Sequence, residues 1–217
     1  MLIFYGGSLS PFVKKVCLAA HAKGMAYELR PGGMGRGDAT FEAASPFRKM
    51  PAMADDDYLL ADSSAIIHYL EAKQPDPALI PADPRMRGRC IWWEEFGDTI
   101  LMGEGRHVFY NEVVSPKILG RDGDLTAAQK ARAETLPPLF DYIERELPDS
   151  GFLVENRYTL ADIAVIAPMV NLYHVGIHPD PDRHPKLAAY RAAMFAHGNM
   201  PDLLAMDARI FERIGGT

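Results

Sequence analysis

This sequence has few cysteines and no long apolar run. Its 217 residues include only two cysteines, too few for the disulfide framework of a small secreted protein. No apolar run approaches the roughly 18 residues of a membrane-spanning helix. The opening MLIFYGG lacks the basic and apolar segments of a secretion signal. We therefore expect a reducing, cytoplasmic location and no membrane partner.

Basic residues are outnumbered by acidic ones. The 23 Lys and Arg against 29 Asp and Glu give a formal net charge of −6 and a pI near 5.6. An acidic chain is repelled by phosphate backbones, so nucleic acid is not expected as a partner. The hydrophobic share of 48% is that of an ordinary globular protein, and the length allows one large domain or two small ones.

The first 75 residues alternate short apolar runs with amphipathic stretches. Leu2 to Tyr5 predicts a buried strand, Ser10 to Gly24 a helix with proline at its first position, and Met25 to Arg30 a second strand. A hairpin from Ala52 to Leu60 and a helix from Ser63 follow. This order, βαβ and then ββα, predicts an α/β thioredoxin-like domain.

The sequence changes character after Glu71. Closely spaced prolines between Gln74 and Pro84 predict a linker, and only helical patterns are convincing beyond it. The predicted helices are Arg85 to Asn111, Thr126 to Leu147, Thr159 to His174, Pro185 to His197 and Asp202 to Ile214. We therefore predict an α/β thioredoxin-like N-terminal domain at residues 1–78 and an all-α C-terminal domain at 87–217.

Thr159 and Asp162 stand at the start of one of these helices. A hydroxyl residue followed three positions later by an acid is a capping-box pattern, in which each side chain accepts a hydrogen bond from the other residue's backbone N–H. We assign both residues to the folding of the helical domain and leave them out of the functional site.

The most specific motif lies between Ser45 and Leu70. Four dipeptides occur there in order around the short hairpin: Ser45-Pro46, Met50-Pro51, Asp62-Ser63 and Ala65-Ile66. They resemble the cytosolic glutathione transferase family, whose members carry an Asn/Ser-Pro-x-x-x-x-Pro turn, a hairpin, and a Glu/Asp-Ser pair followed by Ala-Ile. The resemblance extends over the whole chain. It suggests a bacterial member with a serine-type loop and leaves the subgroup open.

This resemblance implies a glutathione site in the first domain. In the family, the residue before a cis-proline, here Met50 before Pro51, offers its backbone groups to the cysteinyl part of glutathione. Ser63 would bind the γ-glutamyl carboxylate and Asp62 the ammonium group, while Lys49 would pair with the glycyl carboxylate. Taken alone, Asp62-Ser63 predicts only a helix cap and Lys49 only a solvated turn residue.

Two serines in the loop from Gly6 to Pro11 are candidates for activating the thiol. A free thiol has a pKa of about 8.5, and both a hydrogen bond to the thiolate and a helix N-terminus favour the charged form. Serine-type relatives carry their serine in this loop, so Ser10 is the first candidate and Ser8 the second. Ser10 before a proline also fits a plain N-cap. The loop has no cysteine, and Cys17 is predicted to be a buried, inert thiol.

By the same resemblance, the second substrate would lie between the domains, against the first long helix of the all-α domain. Phe12, Arg106, His107 and Tyr110 are the predicted co-substrate contacts. Arg106 and Tyr110 are four residues apart and so share a helix face. The alternative for Arg106 is a solvated or ion-paired arginine.

The expected reaction is attack of the glutathione thiolate on an electrophilic small molecule, with glutathione as co-substrate and no metal. Glutathione-dependent peroxidase, isomerase and ether-cleaving activities share that thiolate and are alternatives. A non-catalytic ligand-binding protein of the same fold is an alternative of another class. The resemblance also implies a homodimer.

Overall fold

A computed structural model describes residues 1–215 of the chain. The chain divides into two compact units, which meet in sequence between Ile80 and Pro81. The domain limits 1–78 and 87–217 remain predictions, and residues 216 and 217 lie outside the described range. Among residues 1–215, no helix combines the length and apolar character that crossing a bilayer requires.

The first unit has the predicted order of strands and helices. Its elements are β1 (Leu2–Tyr5), α1 (Pro11–Ala22), β2 (Tyr27–Arg30), α2 (Ala39–Ala44), β3 (Ala52–Asp55), β4 (Tyr58–Ala61) and α3 (Ser63–Lys73). The short α2 lies in the glycine-rich segment between the βαβ and ββα halves, where Asp38 caps it by accepting a hydrogen bond from the Phe41 N–H. The thioredoxin-like prediction is confirmed.

One mixed sheet holds this unit together, in the order β2-β1-β3-β4. β1 pairs with β2 in parallel through the α1 crossover, and β3 runs antiparallel to both β1 and β4. Successive side chains of a strand point to opposite faces. Tyr5 therefore packs with Phe41, Ala52 and Ala54 in one hydrophobic cluster. Its ring lies 5.9 Å from that of Phe41, so Tyr5 is a core residue.

The described part of the second unit is helical, as predicted. Its α-helices are α4 (Pro84–Glu95), α5 (Met102–Phe109), α6 (Leu125–Lys130), α7 (Leu136–Glu146), α8 (Leu160–His174), α9 (Pro185–Phe195) and α10 (Met200–Arg213). π-Helical segments at Phe96–Leu101, Tyr110–Ile118 and Ala131–Thr135 continue or join them. The predicted helix Arg85 to Asn111 thus extends to Ile118, because the apolar side continues through the buried Val113.

α8 is the central helix of the second unit. Residues 160 to 172 are all buried, as expected for a helix that is apolar on every side. The predicted capping box is present at its start, since the Asp162 carboxylate accepts a hydrogen bond from the Thr159 N–H at 2.9 Å. Trp93 is fully buried, whereas Trp92 is 43% exposed.

The packing of α8 also gives a stability prediction at Gly97. A Cβ there would lie 2.3 Å from the Ala164 carbonyl oxygen, and this contact is with backbone, which cannot rotate away. Gly97→Ala should therefore lower the free energy of unfolding by about 1–3 kcal/mol, the usual range for overpacking. Urea unfolding followed by tryptophan fluorescence measures this, because both tryptophans lie in α4.

Gly103→Ala is the matched control for Gly97→Ala. Gly103 lies in α5, and a Cβ there would meet nothing within 4 Å. Alanine should stabilise that helix by about 0.5–1 kcal/mol relative to glycine. If Gly97→Ala and Gly103→Ala change the free energy of unfolding equally, the close approach to Ala164 does not limit the side chain at position 97.

Candidate functional site

Strand register brings the predicted site segments to one end of the sheet. Tyr5, the last residue of β1, is opposite Ala52, the first of β3, and Ala52 is opposite Ala61, the last of β4. The loop after β1, the Met50-Pro51 turn and the Asp62-Ser63 pair therefore all leave the sheet at this end. The Asp62 N–H donates to the Pro51 carbonyl at 3.4 Å, which links two of the three segments directly.

The loop after β1 is fixed by backbone contacts. The Gly6 N–H donates to the Arg30 carbonyl at 2.9 Å, and the Ser10 N–H donates to the Gly7 carbonyl at 3.0 Å. Gly6 has a φ of +155°, and a Cβ there would lie 2.3 Å from the Val13 Cγ2. Glycine thus lets the chain pass close against α1 before it turns toward Ser10.

Ser10 and Ser8 have different environments. Ser10 occupies the predicted N-cap position of α1 with an extended backbone, but its side chain makes no capping hydrogen bond. Ser10 is also partly exposed. Ser8 is only 2% exposed, and its buried Oγ has no hydrogen-bond partner among the described residues. Of the two hydroxyls, that of Ser10 is therefore the more accessible to a ligand.

The turn before β3 contains the cis peptide bond Met50-Pro51 that the motif implied. The Ser45 hydroxyl holds this turn, donating to the Lys49 carbonyl at 2.7 Å and accepting from the Lys49 N–H at 3.0 Å. The residue Lys49 is exposed. Arg48 has a φ of +54°, a conformation that glycine adopts more readily.

Asp62 and Ser63 form the start of α3. One Asp62 carboxylate oxygen, Oδ1, accepts hydrogen bonds from the Ser64 N–H at 2.9 Å and the Ala65 N–H at 3.1 Å. Asp62 is therefore the helix cap, as the simple interpretation predicted, and its Oδ2 has no such bond to α3. Ser63 is the first helical residue and is buried.

Two helix N-termini lie at this end of the sheet, because α1 follows β1 and α3 follows β4. The unpaired N–H groups and the partial positive charge of a helix N-terminus favour an anion. The first turn of α1 contains no acidic residue. At α3, the Asp62 carboxylate already accepts from the Ser64 and Ala65 N–H groups and offsets part of the positive potential. Of these two helix N-termini, that of α1 is therefore the more favourable to a negative charge.

Neither cysteine can act as the nucleophile of this site. Burial raises the pKa of Cys17 to about 11 and that of Cys90 also to about 11. Both thiols are fully buried, so both stay protonated and inaccessible near neutral pH. The prediction that Cys17 is a buried, inert thiol is confirmed.

The predicted co-substrate residues belong to different units. Phe12 is partly buried in the first turn of α1. In the second unit, Arg106 and His107 lie on α5 and are exposed, and the Arg106 guanidinium carbon lies 5.6 Å from the centre of the Tyr110 ring. The shared helix face of Arg106 and Tyr110 is thus present, and the guanidinium stacks on the ring.

Sequence reasoning missed two buried lysines in α1. Lys14 is 0% exposed and Lys15 is 1% exposed. The Lys14 ammonium donates to the Ser8 carbonyl, and that of Lys15 donates to the Ser64 hydroxyl at 3.1 Å. The available signal was the pair of lysines inside the otherwise apolar run FVKKVCLAA.

This two-unit architecture, a thioredoxin-like unit followed by a helical one, defines the class of protein. Residues 4–78 match the family model described as glutathione S-transferase, N-terminal domain. Residues 111–197 match the model described as glutathione S-transferase, C-terminal domain. A glutathione S-transferase from Triticum aestivum is 37% identical over 217 residues, covering 92% of this chain and 95% of that protein. The chain belongs to the glutathione S-transferase family.

Two further comparisons show the breadth of this similarity. A crystal structure of a glutathione S-transferase from Rhodospirillum rubrum F11 superimposes with a TM-score of 0.85 at 23% identity, covering 94% of this chain and 92% of that one. A stringent starvation protein A homolog from Coxiella burnetii is 24% identical, covering 90% of this chain and 87% of that protein. The first shows the shared fold, and the second shows that some relatives are not named as transferases.

Proposed function

We propose that this chain is a serine-type glutathione transferase, which binds glutathione in the first unit and activates its thiol for attack on an electrophilic small molecule. The observation that carries this proposal is the meeting of the Ser10 loop, the Met50-Pro51 turn and the start of α3 at one sheet end. Membership of the family supports glutathione as the anionic ligand. The bacterial source suggested by the resemblance remains part of the proposal.

The proposed roles follow from the contacts of each residue. Ser10 donates its hydroxyl to the thiolate, since that hydroxyl makes no bond to α1. Met50 offers backbone groups to the cysteinyl part, and Lys49, with an exposed side chain, pairs with the glycyl carboxylate. Ser63 binds the γ-glutamyl carboxylate through its hydroxyl and its backbone N–H at the start of α3. The Asp62 Oδ2, which makes no bond to α3, takes the ammonium group.

Conjugation, in this proposal, is catalysed by thiol activation and proximity, without a covalent enzyme intermediate. Phe12, Arg106, His107 and Tyr110 are the proposed co-substrate contacts. Peroxidase, isomerase and ether-cleaving reactions share the activated thiolate. No metal is required, and the small number of cysteines supports a reducing, cytoplasmic location.

Glutathione binding followed by a substrate panel tests this function. Calorimetry with glutathione should show one site per chain, and ultraviolet absorbance should reveal a thiolate at a pH where free glutathione is protonated. Turnover should then appear with at least one of the aryl halides, hydroperoxides, epoxides and maleyl-type acids. Absence of glutathione binding would rule the proposal out.

A non-catalytic binding protein is the second candidate. The similarity to a stringent starvation protein A homolog favours it, because that relative carries no transferase name. Retention on immobilised glutathione without turnover of any electrophile would support this candidate. A thiolate signal together with turnover would exclude it.

We also propose a homodimer and predict that Phe47 contributes to the contact. Phe47 is a large apolar side chain and yet 86% exposed, so its burial by a second copy would remove much apolar surface from water. Phe47→Ser should raise the dimer dissociation constant about thirtyfold or more, as for an interface hot spot. Analytical ultracentrifugation across a concentration series measures this.

Tyr58→Ser is the control for Phe47→Ser, because Tyr58 is another exposed aromatic residue of the same unit, at 46% exposure. It should leave the dissociation constant close to that of the unmodified protein. A 24.0 kDa species at micromolar concentration for the unmodified protein would contradict the homodimer itself.

A further inference from the structure

Three lysines of the first unit are buried to an unusual degree. Lys14, Lys15 and Lys23 are 0%, 1% and 1% exposed. Lysine is almost never fully buried, because removing an ammonium group from water is costly unless it is paired and hydrogen-bonded. The partners of these three groups therefore indicate what each lysine holds in place.

Lys14 holds the loop that carries Ser10. Its ammonium donates to the Ser8 carbonyl, and its backbone N–H donates to the Ser10 carbonyl at 3.0 Å. One residue thus binds the loop at two points, on either side of Leu9. Movement of the Ser8 carbonyl would change the direction in which the chain reaches Ser10.

Lys15 holds the start of α3 instead. Its ammonium donates to the Ser64 hydroxyl at 3.1 Å, and the Ser64 N–H donates to the Asp62 Oδ1 at 2.9 Å. Ser64 directly follows Ser63. Neighbouring residues of α1 are therefore joined to the two separate halves of the site, the loop after β1 and the first turn of α3.

We propose that Lys14 and Lys15 are positioning residues with separate effects. Lys14 fixes the hydroxyl donor for the glutathione thiolate, and Lys15 fixes the groups that bind the γ-glutamyl end. This inference rests on the proposed function. Loss of Lys14 should change the reactivity of bound glutathione, whereas loss of Lys15 should change the affinity of the protein for glutathione.

Lys23 provides the matched control. Its ammonium pairs with the Glu71 carboxylate at 2.6 Å and donates to the carbonyls of Gln74 at 2.7 Å and Pro77 at 3.0 Å. It is as buried as the other two, but it caps the opposite end of α1. Lys23→Met should therefore lower stability and leave both glutathione parameters unchanged.

The experiment compares Lys14→Met, Lys15→Met and Lys23→Met in the full chain. Ultraviolet titration gives the thiol pKa of bound glutathione, steady-state kinetics give kcat and the KM for glutathione, and urea unfolding gives stability. Lys14→Met should raise the thiol pKa by about one unit and lower kcat about tenfold at a pH below that pKa. Lys15→Met should raise the KM about tenfold and leave the thiol pKa unmoved.

Conservative variants separate positioning from simple destabilisation. Lys14→Arg and Lys15→Arg keep a charged donor and should restore most of the lost function. Where a methionine variant does not fold, Lys14→Gln and Lys15→Gln take its place with the same expected shifts. A thiol pKa unmoved in Lys14→Met and Lys14→Gln, or a KM unmoved in Lys15→Met and Lys15→Gln, would overturn the inference.

Three other results would each overturn the inference. Equal shifts of thiol pKa and KM in all three methionine variants would show a general structural effect and overturn the separate roles. If the unmodified protein binds no glutathione, the proposed function fails and the inference fails with it. If the unmodified protein binds and activates glutathione while the lysine variants match it, only the inference fails.

Discussion

Ser10→Ala should lower turnover at neutral pH by about ten- to a hundredfold, because a hydrogen bond to a charged group contributes roughly 1.5–3 kcal/mol. The Ser10 hydroxyl makes no bond to α1, although the residue stands at its N-cap, so the hydroxyl is available to a thiolate. Its removal should raise the thiol pKa of bound glutathione. Glutathione affinity should change little, since Lys49 and Ser63 still hold the carboxylates.

Ultraviolet titration of bound glutathione measures this effect, and two other serines are its controls. Ser63→Ala should weaken glutathione binding and leave the thiol pKa of the bound fraction nearly unchanged. Ser8→Ala should change neither quantity, because the Ser8 hydroxyl is buried.

Other results would assign the chemistry elsewhere. If Ser10→Ala costs about 1 kcal/mol of stability and leaves the thiol pKa unmoved, Ser10 is only an N-cap. A thiol pKa raised in Ser8→Ala alone would transfer the role to Ser8. A thiol pKa unmoved in both variants would identify the backbone N–H groups of the loop as the activator.

Local signals made most of the first unit predictable. Gly6-Gly7 ends the first apolar run, Ser10-Pro11 begins α1 and Asp62 begins α3, and each of these acts within a few residues of its own position. The meeting of the three segments follows from the order of strands, because βαβ and ββα connections leave few arrangements of the sheet.

Features that depend on distant packing were not predictable. The apolar neighbours in FVKKVCLAA are a local sign that the two lysines are buried, but nothing local identifies their partners, a carbonyl in the preceding loop and a hydroxyl some 50 residues away. The π-helical segments, such as Phe96–Leu101, were also missed. A π-helical turn bonds residue i to i+5 and takes more residues per turn than an α-helix, so an apolar pattern read at the α-helical period does not reveal it.

Asp162, the acidic residue of the α8 capping box, should contribute strongly to the free energy of unfolding. The Asp162 carboxylate accepts hydrogen bonds from the N–H of Leu153 at 3.0 Å and the N–H of Thr159 at 2.9 Å, and from the Tyr190 hydroxyl at 3.3 Å. Asp162 is 0% exposed. Asp162→Ala would leave several buried donors unpaired, so we expect a loss of about 3–5 kcal/mol in the free energy of unfolding.

Urea unfolding followed by tryptophan fluorescence measures this loss in the helical unit, where both tryptophans lie. Asp207→Ala is not a suitable control, because Asp207 is itself buried and paired with His174. Asp202→Ala is suitable, since Asp202 is exposed on α10. A loss in Asp162→Ala no larger than that in Asp202→Ala would contradict the structural role of the box.

The same carboxyl should make stability depend on pH. Burial raises the pKa of Asp162 from 3.8 to about 6, although its hydrogen bonds from Leu153 and Thr159 act in the opposite direction. Between these two pH values the folded chain keeps a proton that the unfolded chain has released. The contribution of this group to stability is therefore full below about pH 4 and is lost as the pH rises through about 6.

Asp162→Asn removes the titrating group and isolates this effect. The free energy of unfolding of the unmodified protein, minus that of the variant, should fall by up to about 3 kcal/mol as the pH rises from about 4 to about 7. Urea titrations of both proteins across that range give the difference directly. A constant difference would mean that the carboxyl has the same pKa in the folded and unfolded chains. A difference that rises with pH would mean that the hydrogen bonds to the carboxylate outweigh burial and hold the folded pKa below the unfolded one.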